Sequence, residues 1–114
     1  IPMVRQGASL KDSLLEMSQK GFGMTCILDR NDTIVGVFTD GDLRRSLDRQ
    51  LDLQSCRIDD IMTTGFTSVS QHMLAAEALS IMQNKAINAL PVVEADRTVT
   101  GVFNMQDMLR AGVI

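Results

Sequence analysis

Apolar residues recur at helical spacing over residues 10–20, where Leu10, Leu14, Leu15 and Met17 are placed on one side, at intervals of three and four that mark an amphipathic helix. Ser9 and Asp12 offer a capping box at its start, and Gly21 after Lys20 offers a left-handed end. The period then changes. Two short apolar runs, residues 24–28 and 34–38, flank the polar turn Asp29-Arg30-Asn31-Asp32, which predicts an antiparallel hairpin. A short apolar piece at residues 2–4 precedes the helix, and a second short helix over residues 40–47 closes the unit. The order is strand, helix, strand, strand, helix.

The same succession returns 65 positions later. Residues 4–45 align with 69–110 without a gap, with identities at Val4/Val69, Gln6/Gln71, Leu14/Leu79, Met17/Met82, Lys20/Lys85, Thr33/Thr98, Gly36/Gly101, Val37/Val102, Phe38/Phe103, Asp42/Asp107 and Arg45/Arg110. A duplication of this kind is sought first because it sets the whole fold. In the second copy a strand is expected over residues 66–69, a helix with the stripe Leu74, Ala78, Leu79 and Met82, a hairpin of residues 89–93 and 99–103, and a closing helix over 105–111. The predicted class is mixed α+β: two β-α-β-β-α repeats packed as a pair with approximate two-fold symmetry, since about 45 residues alone bury little core. The first repeat covers residues 1–48, a polar linker 49–65 and the second repeat 66–114.

Composition narrows the function. A 114-residue chain that is 45% hydrophobic supports a folded core, and a net charge of −3 lacks the basic face of a nucleic-acid binder. Four aromatics, none of them Tyr or Trp, leave few stacking platforms for single-stranded nucleic acid. No apolar run approaches a membrane span, and no signal-peptide pattern is present. Cys26 lies in an apolar run and Cys56 in the linker, a spacing that fits no metal motif and points to a reduced, cytoplasmic setting. The opening Ile1-Pro2, without an initiator Met, is what a piece of a longer protein would show.

Chemistry concentrates where strand meets helix. Gly36-Val37-Phe38-Thr39-Asp40-Gly41-Asp42-Leu43-Arg44-Arg45 places a hydroxyl and two carboxylates at that junction. Thr39 and Asp42 form a capping box on the residues alone. Asn104 and Asp107 repeat the spacing with an amide in place of the hydroxyl. Asp40 and Asp42 disfavour a phosphate directly at the helix start, so Arg5, Lys20, Arg44, Arg45 and Arg110 are the basic residues left to reach one. His72 is the single histidine, and no nucleophile–base–orienter set stands out, so no catalytic residue is assigned to this chain. Asp40-x-Asp42 reads as a helix cap rather than a metal site. The eight methionines read chiefly as core filler.

The duplicated unit, the Asp60-Ile61-Met62-Thr63 entry into the second copy, the Ala89-Leu90-Pro91-Val92-Val93 strand and Thr39-x-x-Asp42 together resemble a tandem cystathionine-β-synthase-type (CBS) domain pair, or Bateman module. More narrowly, the run Phe38 to Arg45, Asp60-Ile61-Met62-Thr63 and the ending Leu109-Arg110-Ala111-Gly112-Val113 look like the C-terminal portion of bacterial arabinose-5-phosphate isomerases. In that family a sugar-isomerase domain precedes the CBS pair, and the reaction opens synthesis of the lipopolysaccharide sugar Kdo. The resemblance implies a regulatory tail, without the catalytic domain, that takes a small effector in the cleft between repeats. The implied effector is an adenine nucleotide such as AMP or ATP or, by the logic of feedback, the sugar nucleotide CMP-Kdo. The implied ligand contacts are Thr39 and Asp42 on ribose hydroxyls. Met24 and Thr25, Gly65, Phe66 and Thr67, and Ala89, Leu90 and Pro91 would lie on the base, with Asn104 and Asp107 as the second copy's counterpart. The missing threonine at Asn104 implies two unequal sites. Self-association through the CBS helices is also implied, and a purely structural dimerising module with no ligand is the competing reading.

Overall fold

The computed structural model describes residues 1–21, 23–73 and 75–105. The chain divides into two units, Ile1–Phe66 and Thr67–Ile114. Both are mixed α+β.

In the first unit β1 (Met3–Arg5), α1 (Leu10–Lys20), β2 (Met24–Leu28), β3 (Ile34–Thr39) and α2 (Asp40–Asp48) follow one another as the pattern predicts. The sheet order is β1-β2-β3, with β1 parallel and β3 antiparallel to the central β2. All five residues of β2 are buried, as an unbroken apolar run requires. The Ser9 side chain accepts from the Asp12 N–H, and Gly21 ends α1 at φ 70° with its N–H on the Met17 carbonyl. Leu10 and Met17 join Ile27, Phe38 and Ile58 in the core. Leu15 does not: it is 50% exposed, because five residues of helix carry it about 140° round from Leu10.

Residues 49–65, which the polarity marks as a linker, are folded onto this unit, as is Phe66. The Leu10 N–H reaches the Cys56 carbonyl at 2.8 Å, and the Ile58 N–H reaches the Ala8 carbonyl at 2.8 Å. A single 3-10 turn, Ile58–Asp60, buries Ile58 completely. Thr63 then pairs antiparallel with Val37, each N–H donating to the other's carbonyl, at 3.0 and 2.8 Å. Met62 lies over Gly36, where a methyl group would sit 2.6 Å from its sulfur. This close approach is why position 36 carries no side chain.

In the second unit α3 (Ala75–Lys85) is followed by the hairpin β4 (Ala89–Val93) and β5 (Val99–Asn104). Val69, Ala78, Met82, Leu90 and Val92 form its core. The duplication extends to irregularities. A bulge falls between Ile27 and Leu28 and again between Val92 and Val93. The turn residues Asp32 and Arg97 both take positive φ, 64° and 68°. Ala86 occupies the left-handed position held by Gly21 in the first copy, at φ 54°.

The strand expected over residues 66–69 shrinks to one parallel bridge, Val69 with Val92. Pro91 is the reason. In the first copy the Cys26 N–H donates to the Pro2 carbonyl at 3.0 Å and extends the ladder. Pro91 stands in Cys26's place and has no N–H to give, so the ladder keeps only the bonds about Val69, at 3.1 and 2.8 Å. Met105 takes helical backbone where the closing helix of the second copy is expected to start. Leu74, Asp107, Arg110 and the other residues from 106 on, with most of the helix expected over 105–111 and the ending 109–113, lie outside the described residues.

Candidate functional site

The β3–α2 junction is built from the backbone outward. Thr39 ends β3 in extended conformation and caps α2. Its hydroxyl accepts from the Asp42 N–H at 3.3 Å, and its own N–H donates to Asp42 Oδ2 at 2.9 Å, so the capping box is complete. The Thr39 hydroxyl also donates to Asp42 Oδ2 at 3.1 Å. The other oxygen, Oδ1, accepts from the Thr63 hydroxyl at 3.0 Å and from Arg45 Nη2 at 2.5 Å. Asp42 is thus 5% exposed with donors on both oxygens, which fills about the four lone-pair positions a carboxylate has. Burial of a charge is tolerated here because it is paired and hydrogen-bonded. An incoming hydroxyl must replace one of these donors.

The surroundings place several expected residues together. Met24 pairs with Thr39, and Thr25 with Phe38, across the β2–β3 ladder. Met24 and Thr25 are buried, the Thr25 hydroxyl donating to the Ser13 carbonyl at 3.5 Å. The Asp40 N–H donates to the Gly23 carbonyl at 3.2 Å, which closes the junction onto the loop before β2. Asp40 itself is exposed. In the second unit Ala89 pairs with Asn104 and Leu90 with Phe103, and the Met105 N–H donates to the Asn88 carbonyl at 3.1 Å. Leu90 and Pro91 are fully buried, Ala89 half-buried and Asn104 buried. Asp107, the acid of this second junction, lies outside the described residues. Gly65 is exposed and Phe66 half-buried at the end of the first unit, and Thr67 half-buried at the start of the second.

Two residues at Asp42 were not assigned to it from the sequence. Thr63 belongs to the Asp-Ile-Met-Thr segment read as linker, and Arg45 was one basic residue among five. The Asp42–Arg45 pair carried a usable signal, the i, i+3 spacing of opposite charges on a helix. The Thr63 contact carried none, since it joins residues 21 apart through a loop. Arg5, another expected phosphate contact, is at the far end of the hairpin. It bonds the Asp29 carbonyl and pairs with Asp32, and it borders an open groove with Gln6 and Arg30. Lys20 pairs with Glu16 at 3.7 Å. His72 is exposed. Among the described residues no group of three or more His, Cys, Asp or Glu converges on a metal position, and no helix is long and apolar enough to cross a membrane.

Comparison with known proteins fits this geometry. Residues 1–49 and 58–114 match the family model of the CBS domain. Over all 114 residues the chain is 50% identical to the arabinose 5-phosphate isomerase KdsD of Pseudomonas aeruginosa and 47% identical to that of Escherichia coli. It spans about a third of their length, 35% and 34%. Among solved structures, a CBS domain protein from Pyrobaculum aerophilum complexed with AMP has a TM-score of 0.82 at 18% identity, covering 98% of this chain and 91% of that one. The CBS domain pair of protein MJ0100, in complex with 5-methylthioadenosine and S-adenosyl-L-methionine, has a TM-score of 0.85 at 20% identity, covering 97% and 91%. With both repeats matched by one family model, the chain belongs to the CBS domain family and is a pair of CBS domains in tandem.

Proposed function

We propose that this chain is a ligand-sensing regulatory module that holds an adenine nucleotide at the β3–α2 junction, through Thr39 and Asp42. The observation that carries the reading is the buried Asp42 carboxylate, presented at a helix start by a complete capping box. A charged acceptor is the group of choice for two vicinal hydroxyls of a ribose. AMP and S-adenosyl-L-methionine in the named complexes of fold neighbours support an adenine ligand. Met24, Thr25, Gly65, Phe66 and Thr67 are the further contacts proposed on this side, with Ala89, Leu90, Pro91, Asn104 and Asp107 the weaker equivalents of the second repeat. CMP-Kdo rests on feedback logic alone and ranks below AMP.

Similarity along the whole chain to KdsD proteins supports a parent enzyme that interconverts ribulose 5-phosphate and arabinose 5-phosphate toward Kdo and lipopolysaccharide. In that enzyme the effector would favour one arrangement of the pair and so shift the activity of the attached isomerase domain. The fragment itself has no catalytic role in this reading.

Calorimetry with AMP, ATP, S-adenosylmethionine, CMP, CMP-Kdo and arabinose 5-phosphate tests it. Asp42→Ala is expected to weaken the best ligand by about 1–3 kcal/mol, with the fold checked by circular dichroism. Unchanged affinity for every ligand that binds the wild type would sink the assignment. A second reading, an assembly module without ligand, draws on exposed Leu15 and Leu47, the latter 62% exposed. No thermal shift with any ligand, together with a stable dimer in sedimentation, would favour it.

A further inference from the structure

A ligand hydroxyl must displace a donor from Asp42, and the four donors are not equally held. Both bonds to Oδ2 come from Thr39, its N–H and its hydroxyl. Breaking them dismantles the reciprocal half of the capping box at the start of α2. On Oδ1 the Thr63 hydroxyl is carried by an anchored backbone. The Thr63 backbone is bonded in both directions to Val37, and its neighbour Met62 is seated on Gly36. Arg45 differs. Its side chain is 70% exposed while Asp42 beneath it is 5% exposed, and a guanidinium on a long stem moves at little cost once its contact is lost. The donor least tied to the fold is therefore a cation.

From this we infer that Arg45 is a latch on the diol-binding carboxylate and thereby the residue that selects a phosphorylated ligand over a neutral one. The inference rests on the nucleotide reading above. A neutral nucleoside that takes Oδ1 strands a positive charge beside a carboxylate it no longer pairs with. A nucleotide brings its own anion within reach of the released guanidinium, whose planar fork suits a phosphate. Exchange of one charged partner for another leaves the charge balance of the junction intact. Thr63 and Thr39 stay in place and keep Asp42 aimed.

The test is calorimetric titration of the whole chain with AMP and with adenosine, for wild type, Arg45→Gln and Arg45→Lys. Arg45→Gln opens the latch and removes the phosphate partner. Adenosine is then expected to bind tighter and AMP weaker, so that the preference for AMP falls by about tenfold, the order of one charge-assisted contact. Arg45→Lys, which keeps the charge, is expected to restore most of the preference. A merely structural role would move both ligands in the same direction. Both ligands binding with an unchanged AMP-to-adenosine ratio, or weakening in parallel in Arg45→Gln, overturns the latch and leaves the nucleotide reading standing. No binding of either ligand to the wild type defeats the nucleotide reading itself, and the latch with it.

Discussion

Cys26 shows how much one buried side chain settles. It sits in the middle of β2 with none of its surface exposed, and burial pushes its thiol pKa from 9.0 up to about 12. A thiol held neutral is a poor nucleophile. In the native protein Cys26 is expected to resist iodoacetamide at pH 8, while half-buried Cys56, also raised by burial, reacts first. Mass spectrometry of the alkylated peptides checks the order. The same shift sets an alkaline limit on stability. Above about pH 9 the unfolded chain loses the Cys26 proton and the folded chain keeps it, so stability is full below that pH and declines as pH rises toward 12. The slope reaches about 1.4 kcal/mol per pH unit. The chain has no Tyr, and Cys56, also raised by burial, adds to the slope in the same direction. Denaturant melts at pH 8 to 11 should show it in the wild type and a flatter profile in Cys26→Ala.

At the scale of elements, the two copies make different use of one glycine. A methyl group at Gly36 would stand 2.6 and 2.9 Å from Met62 side-chain atoms and 3.2 Å from the Thr63 carbonyl, whereas at Gly101 the nearest atom is 3.8 Å away, on Val92. Gly36→Ala is expected to destabilise by about 1–3 kcal/mol through overpacking, and Gly101→Ala to change stability by less than about 0.5 kcal/mol. Urea melts of the two variants measure this directly. Helix α1 and both hairpins could be read from the sequence, because each follows from local period and turn chemistry; the bulge within each hairpin could not. What escaped depended on partners far along the chain. Ile58 has a polar neighbourhood in sequence and a fully buried place in the fold. Pro91 cancels a strand only because the residue in its register would have needed to donate. Leu15 faces solvent because helical angle, not apolar character, decides which side a residue takes.

For the molecule as a whole, duplication produced two units of unequal content. The first carries an extra 3-10 turn and an added chain segment on its sheet, which the second lacks among the described residues. Order and repetition made the family legible, since they survive in the spacing of residues even where single motifs are weak. The Asp42 network was half legible. Its capping box is a local pattern, but the Thr63 contact spans a loop and needed coordinates. A ligand that binds only the folded chain, present at about 100 times its Kd, should add about 2.7 kcal/mol to stability. Differential scanning fluorimetry with AMP should then show a rise of several degrees, and a smaller one at the same AMP concentration in Asp42→Ala. Finally, the seating of Thr63 beside Val37 has a bearing on solubility. It hides the outer margin of β3, behind which lies the unbroken apolar run of β2. A bare margin of that kind invites another chain to pair with it. Any change that unseats residues 62–63, Gly36→Ala foremost, should therefore bring clumping on storage along with lost stability, visible as growing particle size in light scattering.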